Sequence, residues 1–308
     1  MIYDMAGESL LDAYDTTGGI LLGAYDISGE IVYPDENPID KYKNYEITAL
    51  PYSSYGGLQG FAYHAEKLVM GVGDNQLKIC NADTGARLPS GITSPTISVA
   101  IGHCNSLVFS DEFYAETDTF PLLCAAYPNP SLSYFRIANT MDTAELIKNY
   151  LLETTSKPNT TIYGFGFDNG YFYAIGYTDG SYQYSSTNQI ILMKYDLQNP
   201  IDNGDNTYTL PLIYEVKRDW FECIQGSVVH DGIFWVTSGF TNPGHVFAID
   251  LRTAQILLDI PMEDYSPLEI EGCAWRNDYT LIVGTRNGSG YTGMYKITFT
   301  DLEPISYE

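Results

Sequence analysis

Basic side chains are scarce in this chain of 308 residues: 15 Lys and Arg stand against 39 Asp and Glu, a formal charge of −24. Residues 1–40 hold nine acidic side chains and no Lys or Arg. Nucleic acid and anionic membrane surfaces would be repelled, so neither is expected as a partner. Histidine is scarcer still, with His64, His103, His230 and His245 the full set. None are at i, i+4 spacing and no HExxH occurs, so no metal site is expected. Five Cys, with no CxxC, do not form a disulfide framework. Most of them sit in apolar strand-like runs, where a thiol acts as a small hydrophobe, and they point to folding in a reducing cytoplasm. GxSxG, P-loop and GxGxxG signatures are missing, and no cofactor is expected. No apolar run reaches membrane-spanning length, and the opening Met-Ile-Tyr-Asp has neither the basic nor the long apolar region of a signal peptide.

Hydrophobic residues make up 44% of the chain, enough for a real core, and Tyr, at 27 residues, far outnumbers the 13 Phe and 3 Trp. Helix signals are almost lacking. One amphipathic stretch, 142–153, predicts a helix with Asp142 or Thr143 as N-cap and Leu146, Ile147, Tyr150 and Leu151 on one face. The rest reads as short strands, rich in β-branched and aromatic residues, between Gly, Asn, Asp and Pro turns.

Two repeats organise those strands. The first is Tyr-Asp, two residues, then Gly: Tyr3-Asp4…Gly7, Tyr14-Asp15…Gly18 and Tyr25-Asp26…Gly29, 11 residues apart. Each unit reads as a turn followed by a short strand. So short a unit cannot bury its own apolar face, so it must stack on its neighbours or on another chain. A Pro-rich charged break at 34–45 ends this module, assigned to residues 1–40.

The second repeat fills residues 45–308. Its copies open at Gln59-Gly60, Gly102-His103, Tyr163-Gly164, Gln225-Gly226 and Glu271-Gly272, at intervals of about 44, 60, 62 and 46 residues. After each opening come a strand, a tight turn such as Asp168-Asn169-Gly170, a second strand, and a third ending in an Asp/Asn turn. Four strands at this period predict an all-β fold: a five-bladed β-propeller preceded by the short β-repeat module. A strand starting near Tyr45 would complete the last blade. A six-bladed ring is an alternative if residues 108–160 hold an extra blade; an open β-sandwich is another, but it does not explain the regular Gln/Glu-Gly openings.

In such a ring the first strand of each blade lines the axis. Gln59, His103, Tyr163, Gln225 and Glu271 are therefore predicted to meet at one channel mouth. They form either a structural hydrogen-bonded plug or a ligand or ion site. Glu271 is the one carboxylate among them, and a glycosidase-type pair would need Glu222 or Asp219 beside it. DNGDN at 202–206 lacks the downstream Glu of a calcium loop and reads as a hairpin turn. The stretch 170–186 crowds Tyr177, Tyr182 and Tyr184 into a candidate aromatic platform for sugar stacking, and Trp220, Trp235 and Trp275 lie near blade openings.

The N-terminal repeat resembles the Tyr-Asp-x-x-Gly repeats at the start of tail-fibre and tail-tip proteins of phages and prophages from gut bacteria. The segment 102–129, GHCNSLVFSDEFYAETDTFPLLCAAYPN, is similar to propeller-type proteins of gut bacteria and their phages. The resemblance implies a virion protein that binds a host cell-surface glycan or protein with its propeller. It would contact other tail proteins through residues 1–40, and the need of an 11-residue repeat for stacking partners points to a homo-oligomer. It carries over no catalytic residue. A glycan-cleaving enzyme and a non-binding structural virion component are the alternatives.

Overall fold

The computed structural model describes residues 24–25, 31–32, 39–53, 58–90, 96–126, 131–153, 155, 161–178, 189–219, 223–239, 244–265, 269–286 and 292–300. The chain divides into two units, Met1–Asp40 and Lys41–Glu308. In the first, β1 (Ala24–Tyr25) pairs antiparallel with β2 (Ile31–Val32), and Tyr25 lies opposite Ile31. The third repeat copy thus brings its Tyr and its apolar strand together. The other two copies lie outside the described residues.

The second unit begins with β3 (Tyr45–Ser53). Blade 1 follows as β4 (Leu58–His64), β5 (Lys67–Val72), β6 (Gln76–Asn81) and β7 (Ile97–Ser98). Blade 2 is β8 (Leu107–Phe109), β9 (Leu123–Ala125), β10 (Ser131–Ile137) and β11 (Ala144–Leu152). Blade 3 runs β12 (Thr161–Asp168), β13 (Tyr171–Tyr177) and β14 (Gln189–Asp196). It then inserts the hairpin β15 (Ile201–Gly204) and β16 (Thr207–Leu210) before β17 (Leu212–Asp219). Blade 4 is β18 (Ile224–His230), β19 (Ile233–Ser238), β20 (His245–Asp250) and β21 (Ile256–Pro261). Blade 5 is β22 (Glu269–Asn277), β23 (Thr280–Arg286) and β24 (Thr292–Phe299), and its outer strand is β3.

These pairings make five sheets in unit 2 among the described residues, so the propeller has five blades. Residues 108–160 contribute one sheet, which removes the six-bladed alternative. Inner strands stand side by side, β4 against β8, β12 against β18, β18 against β22, and β22 against β4. Apolar residues of adjacent blades fill the spaces between them. Ala62, Val69 and Ile79 of blade 1 meet Leu107, Leu123 and Phe135 of blade 2, and Ile175 and Leu192 of blade 3 meet Phe234 and Val236 of blade 4. Alternation along each strand supplies both sheet faces, so every blade feeds two cores.

The Asp/Asn turns after the third strands share one device. Asn81 Oδ1 accepts from the Asp83 and Thr84 N–H groups, Asp196 Oδ1 from Gln198 and Asn199, and Asp250 Oδ1 from Arg252 and Thr253. All five Cys are free. Burial pushes the Cys80 and Cys104 thiols up to about 12.

Two elements differ from expectation. Residues 144–152 are a strand, not a helix: β11 pairs antiparallel with β10 and parallel with β16. Two flanking strands supply ladder bonds on both edges, which outweigh helix propensity. DNGDN is a hairpin turn, as expected. Asp205 and Asn206 both have positive φ (51° and 57°), the signature of a type I′ turn. Its strands, however, leave blade 3 and extend the sheet of blade 2 to six strands.

Between blades 4 and 5 the core is aromatic. Tyr42 packs on Trp235, Trp275 and Phe299 with ring centroids 5.0–5.7 Å apart, and its hydroxyl donates to Asp231 Oδ2 at 2.9 Å. Lys41 pairs with the same carboxylate. His230 stacks on Trp275 at 4.3 Å. Burial is the main cause that lowers the His230 pKa, against a smaller upward pull from Asp231 and Asp278. The folded state therefore holds the neutral imidazole, while the unfolded chain takes a proton below about pH 6.5. This stability contribution is complete above that pH and is lost as pH falls through it. The urea midpoint should drop between pH 7.5 and 5.5, and His230→Phe should shrink that drop; an equal drop in the variant refutes the assignment. His64, whose pKa burial also lowers, accounts for a remaining part.

Candidate active or binding site at the propeller axis

Four of the five inner strands carry a β-bulge at one level. The antiparallel register shifts between Leu58 and Phe61, Ile162 and Gly164, Ile224 and Gly226, and Ile270 and Gly272. The residues displaced from the ladder are Gln59 with Gly60, Tyr163, Gln225 and Glu271. A bulge leaves its extra residue unpaired and re-aims the side chain. The polar openings of the sequence repeat are therefore the bulges of the blades.

Backbones nearly touch at this level. The Gly60 N–H donates to the Cys104 carbonyl at 2.9 Å. A Cβ at Gly226 would lie 2.6 Å from Gly272 Cα, and one at Gly60 2.7 Å from the Asn105 carbonyl oxygen. Glycine is required here because β4, β18, β22 and the segment just ahead of β8 share the axis.

Polar side chains cap this contact. Gln59, Gln225 and Glu271 are 4%, 6% and 2% exposed. Gln225 Nε2 donates to Glu269 Oε1 at 2.5 Å and to the Gly239 carbonyl at 3.4 Å, while Asn105 Nδ2 donates to Gln225 Oε1 at 3.3 Å. Deeper along the axis, Ser106 Oγ donates to the Tyr163 carbonyl at 3.1 Å, and Ser227 Oγ to the Phe165 carbonyl at 3.1 Å.

His103 does not belong to this cluster. Its side chain is 65% exposed and lies 3.5 Å from Asp74. Gly102 has φ +58° and its N–H donates to Asn75 Oδ1, so that glycine serves a loop, not the crowded axis. Asn105, two residues on, takes the axial place, followed by the small Ser106. Tyr163 contributes its carbonyl to the axis, and its ring packs edge-on against Tyr177 at 5.3 Å.

Tyr177 is 2% exposed, and its hydroxyl oxygen accepts from the Ile224 N–H at 2.7 Å. It is a core residue, not part of a stacking platform. Tyr182, Tyr184, Trp220 and Glu222 lie outside the described residues. Trp235 and Trp275 are held in the aromatic core. Asp219 ends the outer strand of blade 3 and accepts from Gln189 Nε2. It stands at the rim, while Glu271 stands on an inner strand, so these two do not make a catalytic pair. Glu269, two residues before Glu271, and Asn105, two residues after His103, stand near the predicted ring in sequence and are members of the cluster itself.

A separate cavity of about 290 Å³ lies at the seam of blades 1 and 5, lined by Tyr63, Glu66, Arg276, Asn277, Thr280 and Lys296. Arg276 donates to Asp83 through both terminal nitrogens (2.5 and 3.1 Å) and to Glu66 at 2.7 Å. Hydrogen bonding to this guanidinium is the main cause that lowers the Asp83 pKa. The network clasps the ring where it closes.

No protein-family model and no curated protein matches the chain. Solved structures do. The PQQ-bound aldose sugar dehydrogenase of Streptomyces coelicolor is 8% identical over 83% of this chain and 98% of that one, with a TM-score of 0.48. A luciferin-regenerating enzyme is 10% identical over 83% and 95%, with a TM-score of 0.44. A computationally designed protein, Ika8, is 12% identical over 83% and 75%, with a TM-score of 0.32. Likeness at this level transfers no activity, and the blade count rests on strand pairing alone.

Proposed function

We propose that the chain is a receptor-binding component of a phage tail or related particle. Residues 1–40 serve as its attachment module, and the propeller head contacts a host cell-surface glycan or protein. The observation that carries this reading is the division of the chain at residue 40, where the acidic Tyr-Asp-x-x-Gly repeats end and a closed head begins. A short repeat that cannot bury its own apolar face is suited to stack on partner chains.

The contact end follows from connectivity. β13 ends at Tyr177 beside Tyr163, and β14 restarts at Gln189, so the chain between them leaves and re-enters at the end of the axis that holds Gln225 and Glu269. That connection carries Tyr182 and Tyr184. Rigid aromatic side chains of this kind dominate binding energy where they are exposed.

Glycan-array binding and release of reducing ends, measured on one purified sample, test the proposal. Binding without release is expected. Changing Tyr182 and Tyr184 together to Ser should weaken binding about thirtyfold, a loss of roughly 2 kcal/mol. Unchanged binding in that variant removes the platform. Normal incorporation into particles of a chain lacking residues 1–40 removes the attachment role. Reducing-end release that Glu271→Gln abolishes establishes the glycan-cleaving alternative instead.

A further inference from the structure

Hydrogen-bond direction at the axis is set by one charge. An ionised carboxylate only accepts, so Glu269 takes the Nε2 hydrogen of Gln225 at 2.5 Å. Gln225 Oε1 must then receive, and Asn105 supplies Nδ2 at 3.3 Å. This turns Asn105 Oδ1 into an acceptor, and that buried atom has no donor. Gln59 repeats the situation: the side chain is 4% exposed, and its buried Oε1 has no partner. Buried polar atoms are rarely left so, and two on one level of one axis call for a shared explanation.

Both unmet atoms are oxygens. Gln59 stands on β4 and Asn105 just ahead of β8, and the two segments are joined by the Gly60-to-Cys104 backbone bond of 2.9 Å. Glu271, 2% exposed, sits next to Gly272, whose would-be Cβ lies 3.4 Å from Gly60 Cα. The bulges aim Gln59 and Glu271 out of their ladders at this same level. Amide and carboxylate oxygens, with no nitrogen or sulfur donor among them, form the donor set of a hard cation. Among the described residues no three His, Cys, Asp or Glu side chains converge, so amide oxygens have to complete the shell. Calcium accepts many oxygens in irregular geometry, including amide carbonyls, whereas magnesium demands a near-ideal octahedron. A net charge of −24 also concentrates cations near the surface.

The geometry points to a calcium-class cation site on the propeller axis, formed by the side-chain oxygens of Gln59, Asn105 and Glu271, with Glu269 and Gln225 orienting the amide of Asn105. The ion joins blades 1, 2 and 5 at the end from which the β13–β14 connection departs. It goes beyond the receptor-binding reading and is measured without any glycan.

The test uses the full chain, stripped with EDTA and titrated with calcium chloride by calorimetry and thermal unfolding. One calcium per chain is expected. At a concentration about 100-fold above Kd, the unfolding midpoint should rise by about 5 °C, and magnesium should do much less. Gln59→Met and Asn105→Ala should each weaken calcium binding about tenfold or more. Gln59→Glu keeps the oxygen and adds charge, so it should bind at least as tightly as the natural chain. Three results overturn the site. One is the lack of a calcium response in the unaltered chain, which leaves ordered water to satisfy the two oxygens. Another is a response that Gln59→Met and Asn105→Ala leave intact, which puts the ion elsewhere on the acidic surface. The last is a Gln59→Glu chain that loses calcium as Gln59→Met does. Should Asn105→Ala fail to fold, the two Gln59 variants and the stoichiometry of the unaltered chain still decide.

Discussion

A chain that starts at residue 39 should unfold at the same midpoint as the 308-residue chain, whereas a chain that starts at residue 54 should show no cooperative transition. Contacts divide the chain at Asp40, so the first truncation leaves the second unit whole. The second truncation removes β3, the outer strand of blade 5, whose Tyr45–Ala49 segment pairs with Tyr295–Phe299. It also removes Tyr42, which is wholly buried among Trp235, Trp275 and Phe299 and tied to Asp231. Losing one such aromatic costs about 3–5 kcal/mol. Nine residues of strand go with it, and the sum rivals the whole 5–15 kcal/mol by which a typical domain is stable. Thermal melts followed by circular dichroism separate the cases. A cooperative melt for the shorter chain would mean that the ring does not depend on closure through its N-terminal strand.

That closure was legible because propeller blades announce themselves through turns. The second strand that the repeat predicts after its tight turn is present in blades 1, 3, 4 and 5 as β5, β13, β19 and β23. Their hairpins are local, fixed by positive-φ residues such as Asn169 and Asp231. Illegible parts depend on partners distant in sequence. Ala144–Leu152 carries a helix-like pattern, and only pairing with β10 and with β16, some 58 residues on (Asn149 opposite Thr207), makes it a strand. Donation of the 201–210 hairpin to the neighbouring blade likewise leaves no local mark.

The axial cluster was readable to the extent that glycine marked it. Where Gly follows a bulged polar residue, at Gln59, Gln225 and Glu271, sequence and structure agree. In blade 2 the axial position uses Ser106 after Asn105, and the nearby Gly102 serves a left-handed loop, so the glycine signal pointed to His103. Glycine answers two separate needs, positive φ and close approach, and a sequence does not distinguish them. Tyr177 shows the matching ambiguity for aromatics. Strand alternation places it on a face, and only the neighbouring blade, through Ile224, decides that the face is buried.

Gly226→Ala should cost about 3 kcal/mol or more, at the upper end of what overpacking produces, and lower the unfolding midpoint by about 6–9 °C. The added methyl would meet Gly272 Cα at 2.6 Å, the Asn105 carbonyl oxygen at 2.9 Å and the Glu271 carbonyl oxygen at 3.0 Å. All three are main-chain atoms of other blades, so no rotamer change relieves the contact; the inner strands have to part. Gly60→Ala meets the same obstacle, with Asn105 O and C at 2.7 and 2.8 Å and Ser106 Cα at 3.0 Å. Gly71→Ala is the control. Its methyl would find the Gly60 carbonyl oxygen at 3.4 Å and Leu107 Cδ1 at 3.5 Å, within or close to ordinary contact, so the loss should stay below about 1 kcal/mol. Denaturant midpoints for the three variants measure the contrast. Equal losses at 71 and 226 would mean that glycine is needed for strand geometry in general, and that the inner strands do not meet at the axis as closely as the bulged residues require.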